Sequence, residues 1–173
     1  MKRRDFLAGT VCALAFTAVP AFAEDKLIND PSSGWQVYGQ QTNKRIKDAA
    51  VQGGYAIEVK IPAKGANPWD SAAQTDITGD IKKGDKILAA VWLKAKTEDG
   101  SPAHLNIRVQ INSAPYTSLV ESTQSVGPEW KLYAVETTAT QDYNKKTVVL
   151  AVHLAGAKQT VYLGPAFVLI PAQ

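Results

Sequence analysis

Three polar side chains recur at every second position of one segment: Asn106, Arg108 and Gln110, set between Leu105, Ile107, Val109 and Ile111. A strand sends alternate residues to opposite faces, so the two amides and the guanidinium form a row on the face away from the aliphatics. Planar amides donate and accept hydrogen bonds and a guanidinium donates several, which suits a ligand rich in hydroxyls. Trp69, in the loop Asn67-Pro68-Trp69-Asp70-Ser71, and Tyr116, after Ser113-Ala114-Pro115, are aromatics displayed on loops, where a large ring needs either a packing partner or a ligand. Trp92 alternates with Val91 and Leu93 in the preceding strand, and if its face is the open one the indole stands beside the polar row. His153, alternating with Val152 and Leu154, is expected to hydrogen-bond on the open face. Aromatic platforms beside such a row match a sugar, with its apolar C–H faces and its hydroxyls. The expected binding residues are Trp69, Asp70, Trp92, Asn106, Arg108, Gln110, Tyr116 and His153. Trp35 and Trp130 each head a strand-like segment and are expected to pack at the core or an edge.

The common catalytic arrangements are missing. There is no G-x-S-x-G elbow, no H-E-x-x-H pair, and only two histidines, His104 and His153. Gly79 to Gly84 has the glycine spacing of a phosphate loop, but Asp85-Lys86 follows where Lys-Ser/Thr is required, and an aspartate there repels phosphate. Asp70, Asp76, Glu121 and Glu136 are carboxylates of the kind a glycoside hydrolase pairs in space, and each reads equally as a solvated strand or loop residue.

The elements that position these residues are strands. Tyr55, Ile57, Val59 and Ile61 alternate with Ala56, Glu58 and Lys60 between Gly53-Gly54 and Pro62. The segment Ile87 to Ala95 is apolar on both faces, which predicts a central strand. Glu98-Asp99-Gly100-Ser101-Pro102 is turn chemistry and predicts a hairpin between that strand and the one carrying Asn106. Further strands are predicted over residues 72–78, 117–125, 130–137, 147–155 and 160–170. About nine short strands with almost no helix predict an all-β fold: two antiparallel sheets packed face to face as a β-sandwich, in the manner of a jelly roll.

At 173 residues, 45% hydrophobic and 20% charged, the composition is globular. Residues 1–23 read as a signal peptide: Lys2, Arg3 and Arg4, an apolar run from Leu7 to Val19, then Ala21-Phe22-Ala23 before a cleavage site at Glu24. Arg3-Arg4-Asp5-Phe6-Leu7 resembles the twin-arginine signature, and the expected location is periplasmic or secreted, with residues 24–173 as one domain free of the membrane. Removing Lys2, Arg3, Arg4 and Asp5 takes two from the formal charge of +3, so no basic surplus points to nucleic acid. The single cysteine, Cys12, leaves with that segment, and the remaining chain forms no disulfide and no thiolate zinc site.

The order and spacing of Tyr55-Ala56-Ile57-Glu58-Val59, Asn67-Pro68-Trp69-Asp70, Ile81 to Ala95, Ala114-Pro115-Tyr116-Thr117, Glu129-Trp130-Lys131-Leu132-Tyr133 and Gln159 to Pro165 resemble the carbohydrate-binding modules of the family 4, 9 and 22 type. That resemblance implies a galactose-binding-like jelly roll that accompanies xylanases and other glycoside hydrolases. It implies that the tryptophan matching Trp69 stacks on sugar. Xylan-binding members add a late tyrosine and glutamate; here the matching stretch is His153-Leu154-Ala155, with Ala155 in the glutamate's place, which weighs against xylan. Many relatives hold a structural calcium through an early carboxylate and an aspartate of the last strand; Gly164 stands near that aspartate, so no cofactor is expected, and a structural calcium is left open as an unsupported alternative. The expected function is non-catalytic binding of a polysaccharide or oligosaccharide, with a glycoside hydrolase or an envelope protein as partner. The alternatives are an envelope accessory protein that uses the sandwich for protein contacts, and a small glycoside hydrolase or lyase.

Overall fold

The computed structural model describes residues 24–172. The segment read as an export signal, with its twin-arginine signature and Cys12, lies outside the described residues. The chain forms strands β1 (Lys26–Leu27), β2 (Gln36–Gly39), β3 (Thr42–Lys47), β4 (Tyr55–Ile61), β5 (Ser71–Asp76), β6 (Lys86–Thr97), β7 (Ala103–Ile111), β8 (Ser118–Val126), β9 (Lys131–Thr138), β10 (Val148–His153) and β11 (Gln159–Ile170). Two single turns of 3-10 helix, Gln52–Gly54 and Pro68–Asp70, are the helical elements among the described residues.

One sheet runs β3-β4-β11-β6-β9, with β1 on the far end of β11, and the other runs β2-β5-β10-β7-β8. All pairings are antiparallel. Period-two alternation supplies the core: Val59, Val91, Leu93, Val161 and Leu163 of the first sheet face Leu105, Ile107, Val109, Leu150 and Val152 of the second, each at most 1% exposed. A fully buried aliphatic side chain of this size contributes roughly 1.5–3 kcal/mol. The fold is the expected two-sheet antiparallel β-sandwich.

One expectation is corrected. The turn after β6 does reverse the chain, but β6 pairs with β11 and β9 while β7 pairs with β10 and β8, so the connection carries the chain from one sheet to the other. Turn chemistry specifies a reversal; which sheet the next strand joins is decided by the partners that bury its apolar face. β6 is central in its sheet, as its two apolar faces predict.

Candidate functional site

Antiparallel register aligns the outward residues of the second sheet in rows across the strands. Tyr38, Ala72, His153, Asn106 and Thr123 form one row. Gln36, Gln74, Ala151, Arg108 and Glu121 form the next, and Asp76, Val149, Gln110 and Ser118 a third. An ordinary outer face would be wet at every position. Here Ala72, Val149 and Ala151 are 0% exposed, Gln110 4% and His153 6%. Small side chains at the centre and long ones around them therefore make a floor sunk between walls. Four inter-strand spacings separate Tyr38 from Thr123, about 19 Å across.

Aromatic rings stand at the walls. Trp69 lies in the Pro68–Asp70 turn, 54% exposed, with its ring centroid 5.9 Å from that of His153 in an edge arrangement. The turn is held from within and by the chain beyond β10: Asp70 Oδ2 accepts from the Asn67 backbone N–H at 2.9 Å, and the Pro68 carbonyl accepts from Ala155 N–H at 2.9 Å. Asp70 thus braces the turn that presents Trp69. Tyr116, 52% exposed, follows β7 with a left-handed backbone (φ 57°), a conformation that costs a non-glycine residue energy. Its carbonyl accepts from Arg108 Nη2 at a long 3.5 Å, which carries the loop back over the sheet.

Tyr38 faces the floor from β2 and was missed by sequence reasoning. It is 42% exposed, and its phenol is held above the ordinary value by burial and by the nearby Tyr116, with Arg108 acting in the opposite sense, so these three groups share one neighbourhood. The sequence signal was only Tyr38-Gly39 in a four-residue edge strand. Gly39 explains the close approach: at φ 106° a Cβ there would collide with the Asp70 carbonyl and come within 2.7 Å of Ser71 Cα. A glycine is needed for β2 to lie against the turn that carries Trp69.

The polar row is only partly satisfied. Arg108 Nε lies 3.0 Å from Glu121 Oε2, an ion pair with side chains 17% and 53% exposed, yet the Nε–H is not aimed at the carboxylate and has no hydrogen-bond partner. Asn106 Oδ1 and Gln110 Oε1 are likewise buried and unpartnered. Among the described residues four buried side-chain polar atoms lack a partner, and three of them are on this row; the fourth is Gln159 Oε1. Each of the unpartnered amide oxygens costs about 1–3 kcal/mol if nothing binds it. His153 is pushed down to about 4 by burial and, secondarily, by the positive charge of Arg108, so it stands neutral at neutral pH with one nitrogen to donate and one to accept.

Of the expected residues, the structure brings together Trp69, Asn106, Arg108, Gln110, Tyr116 and His153 around one floor, with Asp70 in support. Trp92 is the exception. It lies on the outer face of the other sheet, where its Nε1–H donates to Gln52 Oε1 at 3.3 Å, because β6 and β7 do not share a sheet. Trp35 donates Nε1–H to the Gly164 carbonyl at 2.8 Å and packs on the core edge. Trp130 donates to Asp48 at 3.0 Å and packs edge-on to Tyr162.

The residues near Gly164 do not fit a calcium ion. Calcium takes six to eight oxygens. Gly164 has no side-chain oxygen and its carbonyl already accepts the Trp35 indole, while Asn29 is committed to the Ala166 carbonyl (2.9 Å) and the Val168 N–H (2.7 Å). Among the described residues no cluster of three or more His, Cys, Asp or Glu is placed to hold a metal.

A jelly-roll sandwich with aromatic walls over a concave, incompletely satisfied polar face defines a class of glycan-binding modules. The sequence profile of the carbohydrate binding domain family 4/9 matches residues 24–160, and the chain belongs to that family. Its role is the binding of carbohydrate. Comparison with curated proteins returns no match. Among solved structures the fold is similar to a family 4 carbohydrate-binding module (TM-score 0.59, 20% identity, 88% of this chain and 96% of that one). It is similar to the CBM22-1 xylan-binding domain of Paenibacillus barcinonensis (0.58, 13%, 87% and 98%). It is also similar to the N-terminal cellulose-binding domain of a Cellulomonas fimi β-1,4-glucanase (0.52, 18%, 87% and 93%).

Proposed function

We propose that the concave face of the second sheet holds an uncharged polysaccharide or oligosaccharide without cleaving it. Trp69, Tyr38 and Tyr116 stack on pyranose faces, and Asn106, Arg108, Gln110 and His153 bond the hydroxyls. The observation that carries this reading is the row of buried, unpartnered atoms Asn106 Oδ1, Arg108 Nε and Gln110 Oε1 facing a floor between exposed rings. The charge balance favours a neutral chain: Arg108 is answered by Glu121, Asp76 stands on the same face, and His153 is neutral. We also infer export to the periplasm or medium from residues 1–23, and service beside a glycoside hydrolase or an envelope protein.

Affinity electrophoresis against hydroxyethylcellulose, soluble xylan and galactomannan tests the reading. Trp69→Ala removes a ring that is mostly in solvent, so the fold stays intact while retardation falls by about tenfold or more, the equivalent of roughly 1.5 kcal/mol for one aromatic platform. Unchanged retardation would remove Trp69 from the site.

A further inference from the structure

A cavity of about 440 Å³ opens at the side of the sandwich, between the chain leading into β2 and residues of β3, β4 and β11. That volume is in the range of small-molecule sites. It is not part of the cleft. Its floor includes Thr75, which points from β5 into the interior, whereas Gln74 and Asp76 on the same strand point to the opposite, cleft side. The space forms where β11 is bulged between Leu163 and Ala166, and the buried Thr75 and Leu163 lie at its base.

Trp35, Tyr55 and Phe167 give the cavity aromatic walls. At its mouth the Arg45 guanidinium lies 4.2 Å from the centre of the Tyr55 ring, and among the described residues no carboxylate forms an ion pair with it. A planar guanidinium stacked on a ring and without an ion-pair partner is matched by a carboxylate that takes two parallel hydrogen bonds. Asp30, also at the mouth, accepts from Ser32 N–H (2.9 Å) and Ser32 Oγ (2.7 Å) through Oδ1. Those bonds hold its carboxyl below the usual range and leave Oδ2 to accept from a hydroxyl.

We propose that this cavity is a second binding site, for a uronic acid residue of an acidic saccharide. The carboxylate pairs with Arg45, the C–H face of the ring lies on Trp35 and Tyr55, and a hydroxyl donates to Asp30. An aromatic acid shares the carboxylate and the flat ring but offers no hydroxyls to Asp30.

The test is an NMR titration of the ¹⁵N-labelled protein with glucuronate, galacturonate, glucose and benzoate. A uronate is expected to shift the Trp35 indole and the amides of residues 30–35, 45, 55 and 163–167 with saturation, while glucose leaves them in place. Arg45→Ala, at an exposed edge-strand position, is expected to weaken uronate binding about tenfold or more, and Trp69→Ala to leave it unchanged although it weakens polysaccharide binding in the cleft. Equal response to glucose, no saturable response to either uronate, or an Arg45→Ala variant that binds as well as the parent overturns the site. Benzoate binding more tightly than both uronates overturns the sugar-acid assignment. The comparison of uronate with glucose needs no variant.

Discussion

A side chain kept for a ligand rather than for the fold leaves a particular signature when it is replaced: the protein becomes more stable and binds less well. Gln110 is the sharpest place to look, because it is 4% exposed and its Oε1 has no partner. Gln110→Met keeps the length and approximate volume of the side chain and removes the amide. An unpartnered buried acceptor costs about 1–3 kcal/mol, and the thioether adds apolar burial. Against this stand the lost hydration of the amide nitrogen and imperfect packing of the sulfur. The net expectation is a gain of about 1 kcal/mol, which for a domain of this size raises Tm by roughly 3 °C. Binding moves the other way: one neutral hydrogen bond to a hydroxyl is worth about 0.5–1.5 kcal/mol, a loss of roughly twofold to tenfold. Thermal denaturation and affinity electrophoresis on the same preparation read both signs. If the variant is less stable and binds as the parent does, the amide serves the fold, and the inference from unpartnered atoms to a ligand site fails.

Other outcomes follow from the same geometry. Gly39→Ala drives a methyl group into the Asp70 carbonyl, so it should displace the Trp69 turn and lower both Tm and glycan affinity, whereas Gly100→Ala, with open space around its Cβ, should cost stability through φ alone and leave binding intact. His153 sits at about 4 in the fold against an ordinary 6.5. Between those values the unfolded chain holds the extra proton, so stability falls as pH is lowered through that window and levels off below it. Urea midpoints of His153→Gln should lack this part of the slope. Because the residues near Gly164 are satisfied by an indole N–H and an asparagine, Tm should be the same with added calcium and with chelator; a rise with calcium would contradict the assignment of those bonds.

The parts of this molecule legible in its sequence are those set by alternation. β4 has the bounds that Gly53-Gly54 and Pro62 gave it, and the facing of Asn106, Arg108 and Gln110 follows from period two whatever the surrounding topology. β3 was not seen, because Thr42-Asn43-Lys44-Arg45-Ile46-Lys47 carries one aliphatic residue, and a charged edge strand has little to bury. β2 is four residues long, too short for periodicity, and Tyr38 was lost with it. Trp92 was misplaced for a different reason: its strand and its facing were read correctly, but the sheet a strand joins is a long-range property that the intervening turn does not encode. Tyr116 and Trp69 were legible as displayed aromatics, while the placing of Trp69 beside His153 and of Tyr116 beside Arg108 on one face depends on the pairing of β10 with β7 and β5, which brings together residues far apart in the chain.

The central claim is that the concave face of the β2-β5-β10-β7-β8 sheet is where glycan binds. The most direct measurement is an NMR titration with a soluble neutral oligosaccharide cut from whichever polysaccharide retards the protein. The account predicts shifts in the Trp69 indole and in the side-chain amides of Asn106 and Gln110, with the Trp92 and Trp130 indoles unmoved. Shifts centred on Trp92 and Trp130, across the sandwich, would contradict it.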